Sequence, residues 1–74
     1  MPKIIFYGWN VGMRTLMFCK YLHEKISLSL KESMNLTLKI LDEEIQELEV
    51  EDPEIAKEII ERASELGVKA RIEI

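Results

Sequence analysis

Cys19 and His23 stand four residues apart in a stretch of helical periodicity, which places a thiol and an imidazole on one helix face. Such a pair begins either a nucleophilic dyad or a metal site. A nucleophile also needs a third group to orient its base and donors for an oxyanion, and zinc takes three or four ligands. The chain has one cysteine and one histidine, which disfavours either site, and Cys19 falls on the apolar side of the helix as a core residue. Gly8 and Gly12 follow a strand-like run, as in a phosphate loop, but the Walker lysine and the third glycine of the dinucleotide pattern are absent. They read as a turn. Asp42-Glu43-Glu44 gathers three carboxylates without the ligand spacing of a calcium loop and reads as a solvated helix end. The expectation is a protein with no catalytic residue, no metal site and no cofactor.

Size points the same way. At 74 residues the chain is one domain that buries only about 60% of its unfolded surface, enough for a thin two-layer core but not for a deep catalytic cavity. With 47% apolar and 32% charged residues it is neither a disordered tail nor a membrane protein. Its longest uncharged stretch, between Lys3 and Arg14, is well short of the roughly 18 residues that span a bilayer. Met1-Pro2-Lys3 runs directly into a strand-like segment, so no signal peptide is expected. The single cysteine fits a reducing, cytoplasmic setting. Net charge is -4, divided unevenly. Residues 1–41 hold six basic and two acidic residues, whereas residues 42–74 hold four basic and twelve acidic. The basic first half is available to an acidic partner.

Apolar periodicity gives the elements that would carry any such surface. Lys3-Ile4-Ile5-Phe6-Tyr7 is apolar on both faces and reads as the central strand, ended by the loop Gly8 to Gly12. From Met13 to Ile26 the pattern is helical, with Thr15, Phe18, Cys19, Leu22 and Ile26 facing the core. Met13, Leu16 and Met17 form a second apolar stripe beside Lys20, Glu24 and His23. An outer helix of a small domain needs one stripe, so the second must be covered by the Trp9 loop or by a partner. Methionines and a rimming lysine suit adaptable docking, and Trp9 is either its anchor or a staple at the start of the helix.

Ser29-Leu30-Lys31-Glu32 has the form of a capping box and starts a second helix running to about Leu41, with Leu30, Met34, Thr37, Leu38 and Leu41 on one face. Ser27-Leu28 leaves only a tight helix–helix corner before it. Glu44 to Val50 alternates as a strand with Leu48 and Val50 inward. Asp52-Pro53-Glu54 opens a third helix, along which Ile55, Ile59, Ala63 and Leu66 face inward, Glu58 and Arg62 can pair, and Gly67 caps the end. Val68, Ala70, Ile72 and Ile74 then alternate with Lys69, Arg71 and Glu73 in a half-buried final strand. The predicted fold is α+β, a two-layer β-α-α-β-α-β arrangement with three helices on one face of a three-stranded, mainly antiparallel sheet, in a single domain over 1–74.

This order, and the segment Ile26-Ser27-Leu28-Ser29-Leu30-Lys31-Glu32-Ser33, resemble the C-terminal domain of the bacterial ribosomal stalk protein L7/L12, whose segment reads Thr-Gly-Leu-Gly-Leu-Lys-Glu-Ala. Ala56 to Ile74, with its Glu-Leu-Gly turn and alternating strand, also looks like that domain's last helix and strand. The Clp protease adaptor ClpS shares the fold. The stalk domain docks translational GTPases through its first helix and the start of its second. Carried over by the alignment, its exposed valine falls on Leu16, its isoleucine on Cys19, its lysine on Lys20, its arginine on His23 and its second-helix lysine on Met34. The stalk protein's dimerising domain and hinge have no counterpart, so the resemblance implies a free-standing relative. ClpS binds destabilising N-terminal residues through an Asn-Asp-Asp loop and a histidine on its second helix. The loop here has no acid, and residues 29–41 contain no histidine.

The function expected is protein docking by a non-enzymatic cytoplasmic module, with Trp9, Met13, Leu16, Met17, Lys20, His23, Lys31 and Met34 as the partner-binding residues. The resemblance implies a translational GTPase or the ribosome as partner. The alternatives are a Clp-type adaptor, a nucleic-acid binder using Lys20, Tyr21, Lys25, Lys31 and Lys39, which the overall acidity disfavours, and a homodimer.

Overall fold

β-Branched and aromatic side chains favour extended backbone, and in the computed structural model, which describes residues 2–73, they form β1 (Lys3–Trp9). The chain continues through α1 (Thr15–Ile26), α2 (Leu30–Leu41), β2 (Gln46–Glu49), α3 (Pro53–Glu65) and β3 (Val68–Glu73). β1 is the central strand, antiparallel to both neighbours, in the order β2-β1-β3. The architecture is the α+β layout that the periodicity predicts. No helix among the described residues is long and apolar enough to cross a membrane. Met1 and Ile74 lie outside the described residues, and with them the inward position expected of Ile74.

Contrary to the expected end at Tyr7, β1 runs on to Trp9. The register against β3 shifts between Phe6, opposite Ala70, and Gly8, opposite Lys69. This bulge at Tyr7 exchanges the faces of the residues that follow. Trp9 therefore lies opposite the buried Val68 and packs, half-buried, against the core.

α1 begins at Thr15, two residues later than the periodicity suggests. The preceding chain is tied to the α3–β3 turn instead: the Asn10 N–H donates to the Gly67 carbonyl (2.8 Å) and the Arg14 N–H to the Leu66 carbonyl (2.9 Å). Gly67 sits at φ 89°, and a Cβ there would lie 2.9 Å from the Met13 Cα, so glycine is required both for its dihedral and for this crossing. Met13 consequently leaves the exposed stripe and packs against the core.

α2 begins where the sequence places it, the Ser29 hydroxyl accepting from the Glu32 N–H at 3.0 Å. Its inward face is rotated from the expected one. Ser33, Thr37 and Ile40 are buried, while Leu30 and Leu38 are exposed and Met34 and Leu41 half-buried. α2 packs against α1 and against β1 and β2 together. Ser33 and Thr37 occupy the buried centre of this face, and Leu30 and Leu38 lie outside it. α3 starts at Pro53, with the Asp52 carboxylate accepting from the Glu54 N–H at 2.9 Å. Ala56 joins Ile59, Ala63 and Leu66 in the core. Glu58 does not pair with Arg62, because it faces α1 and meets Lys25 there; Arg62 binds Glu65 at 3.1 Å.

Phe6 and Phe18 join the layers edge to face, their centroids 5.6 Å apart, and Ile4, Leu22, Ile40, Ile59 and Val68 complete the buried centre. Each large side chain so buried stabilises the fold by roughly 1.5–3 kcal/mol.

Candidate docking groove

The corner between α1 and α2 is set by three local features. Ser27 ends α1 in the left-handed conformation at φ 57°, Ser29 caps α2, and His23 Nδ1–H donates to the Leu28 carbonyl at 2.5 Å. That bond fixes the imidazole of the last α1 turn against the loop and leaves Nε2 as its other ring nitrogen. Beside this corner the two helices border a groove of about 520 Å³, lined by Leu16, Cys19, Lys20, His23, Glu24, Leu30 and Met34.

Its surface is largely apolar. Leu16 is 73% exposed and Leu30 58%, whereas Cys19, at 3%, forms part of the floor. Lys20 and Glu24 stand exposed along the α1 side and Lys31 is exposed in the first turn of α2. The Cys19 thiol makes no hydrogen bond to His23 among the described residues, and the His23 Nδ1–H is already engaged, so the pair is not assembled as a dyad. No group of three or more His, Cys, Asp and Glu among the described residues is placed to hold a metal ion.

On the other side of α1 a second cleft of about 410 Å³ is lined by Met17, Lys20, Tyr21, Glu24, Lys25 and Arg62. Its charges are mostly satisfied within the chain, since Lys25 pairs with Glu58 and Arg62 with Glu65. The hydrogen bond that Lys25 donates to the Glu58 carboxylate holds its ammonium above the ordinary range, and burial raises the Tyr21 hydroxyl. Lys20 borders both clefts.

Of the residues expected to bind a partner, Leu16, Lys20, His23 and Met34 come together in the groove and Lys31 is exposed on the helix start beside it. Met17 turns to the second cleft. Met13 and Trp9 are drawn into the core layer and are no part of either cleft. Leu30 is a groove residue missing from those expected to bind a partner, although it shares the face predicted for Met34. Its position in the first turn of α2, before the helix meets the sheet, is the signal that identifies it. The sequence matches no protein-family model and no curated protein.

Proposed function

We propose that the chain is a non-enzymatic docking module that receives another protein in the groove between α1 and α2. The observation that carries this reading is the pair of leucines, Leu16 and Leu30, standing exposed on opposite walls of one apolar groove beside the charged side chain of Lys20. An apolar centre with a polar rim is the anatomy of a protein interface. The stalk-like resemblance supports the same surface, since the positions it carries over, Leu16, Cys19, Lys20, His23 and Met34, all line the groove. Ser27 adds support: it stands where the stalk segment has glycine, and it holds the positive φ that glycine adopts without strain. On this reading the module works in the cytoplasm, where Cys19 stays a reduced thiol, and a translational GTPase is the first partner to test.

Titration of the labelled protein with an elongation GTPase, followed by backbone amide spectra, is expected to shift residues 16–34 and leave β2 and α3 unmoved. Leu16→Ala combined with Lys20→Glu should abolish the shifts with the helical signal intact. Binding that survives this pair of changes would overturn the groove assignment. Absence of any shift with the GTPase, together with groove shifts from a cytoplasmic fraction depleted of it, would remove the translational partner and keep the groove.

A further inference from the structure

β3 is bonded on one side only. Its inner edge pairs with β1, and among the described residues no backbone group pairs with its outer edge. A free edge is a template for another strand unless the chain blunts it. At the opposite side of the sheet β2 is blunted by length and charge, with four residues, Glu47 and Glu49 exposed, and Asp52-Pro53 close behind. β3 has six residues, its inward row is Val68, Ala70 and Ile72, and no proline follows within the strand.

The outward row of β3 reads Lys69, Arg71, Glu73, which is complementary to its own reverse. If two copies pair antiparallel about a two-fold axis at Arg71, Lys69 lies opposite Glu73 of the second copy, and Glu73 opposite its Lys69. On the inner face each Ala70 then lies opposite an Ile72, so a small side chain meets a large one. Arg71 meets Arg71 at the axis, but each has its own Glu73 carboxylate 3.6 Å from the guanidinium. Shifting the axis to Ala70 sets Lys69 against Arg71, unlike-charge pairs becoming like-charge ones. Shifting it to Ile72 also opposes unlike charges, Arg71 to Glu73, but carries Lys69 beyond the end of β3 and shortens the overlap of the two strands.

We propose that the outer edge of β3 binds a second copy of this chain, joining two three-stranded sheets into one of six strands with Lys69 and Glu73 as the reciprocal charge pair. An isologous two-fold contact of this kind closes on itself. Pairing of β3 with β2 of another copy would also oppose unlike charges, yet it leaves a free edge at each end and grows without limit. The β3 edge shares no residue with the α1–α2 groove, so the two surfaces can be tested apart.

Sedimentation velocity from low micromolar to millimolar protein, at low salt, reads the outcome. The wild-type chain is expected to pass from monomer to dimer and stop there. Lys69→Glu alone, or Glu73→Lys alone, replaces two attractive cross-strand pairs by two repulsive ones and should weaken the dimer by about tenfold. Lys69→Glu together with Glu73→Lys should restore it, a rescue that a merely misfolded variant would not show. Hydrogen exchange of the outward β3 amides should slow as the dimer fills. A monomer at millimolar concentration, a dimer indifferent to Lys69→Glu, or assembly continuing past the dimer would each overturn the proposal.

Discussion

The outer face of the sheet and the α1–α2 groove both present apolar residues toward solvent, and the chain treats them in opposite ways. On the sheet, Ile5 points away from the helices, yet only 4% of it is exposed. Its cross-strand neighbours are Glu47 and Arg71, with Lys3 two residues before it on the same face. Long charged side chains lay their apolar stems over a neighbour while the charge remains in water. In the groove, Leu16 and Leu30 have Lys20, Glu24 and Lys31 close by in the structure and remain more than half exposed. The same residue types that seal one face leave the other open. What differs is geometry: strand partners lie directly across from Ile5, whereas Leu16 and Leu30 stand on two different helices with the groove between them. An open apolar groove has room for an inserted side chain, and that is the physical content of the docking proposal.

The largest expected effect separates the two faces by stability. Ile5→Ala should cost about 2–4 kcal/mol in chemical denaturation, as a buried isoleucine does, while Leu16→Ala should change stability by less than about 0.5 kcal/mol. A small loss at Ile5, or a loss of core size at Leu16, would break the comparison. The groove residue should instead show its effect in binding.

How much of this is visible in the sequence follows from the range of each interaction. Ser29, Asp52-Pro53 and Gly67 announce the starts of α2 and α3 and the end of α3 through bonds within a few residues, and all hold these positions in the structure. The alternation of β3 and the central place of β1 are likewise local patterns. The bulge at Tyr7 is not, because it is a register between strands far apart in the chain, and with it the turn of Trp9 toward the core stays hidden. The rotation of α2 is hidden for a related reason: a helix with leucines on one flank and Ser33 and Thr37 on another offers two stripes, and only its neighbours decide between them. Periodicity groups Met13 with Leu16 and Met17, since it cannot know that Gly67 draws Met13 to the turn. Leu16 and Lys20 are legible because α1 is regular over both.

A smaller effect is expected on the buried face of α2. Ser33 is completely buried on α2, and its hydroxyl has no hydrogen-bond partner among the described residues. A buried hydroxyl without a partner carries a desolvation cost, and serine is also a weaker helix former than alanine. Ser33→Ala should therefore stabilise the fold by about 1 kcal/mol, read as a higher denaturation midpoint at unchanged slope. Destabilisation would mean that the hydroxyl is satisfied and that this contact, like the outer sheet face, is fully compensated.

The smallest effect appears in alkali and bears on the sheet face alone. The hydrogen bond and charge of Glu47 raise the Lys3 ammonium above its usual 10.5, with Glu49 and Glu73 adding to it. A raised folded-state value means that the contribution is fully present below pH 10.5 and is lost as pH rises through the folded value. Tyr21, raised from 10.0 by burial, and Lys25, raised by Glu58, titrate in the same window, but both belong to the helix layer. Replacing Lys3 by methionine keeps an apolar stem beside Ile5 and removes only the charge. The variant should show a shallower loss of stability above pH 10.5 than the wild type, and the difference should shrink in high salt, as it does for exposed pairs. If the two alkaline profiles coincide, the charges on this face add nothing to the cover that their stems provide, and the contrast with the groove rests on shape alone.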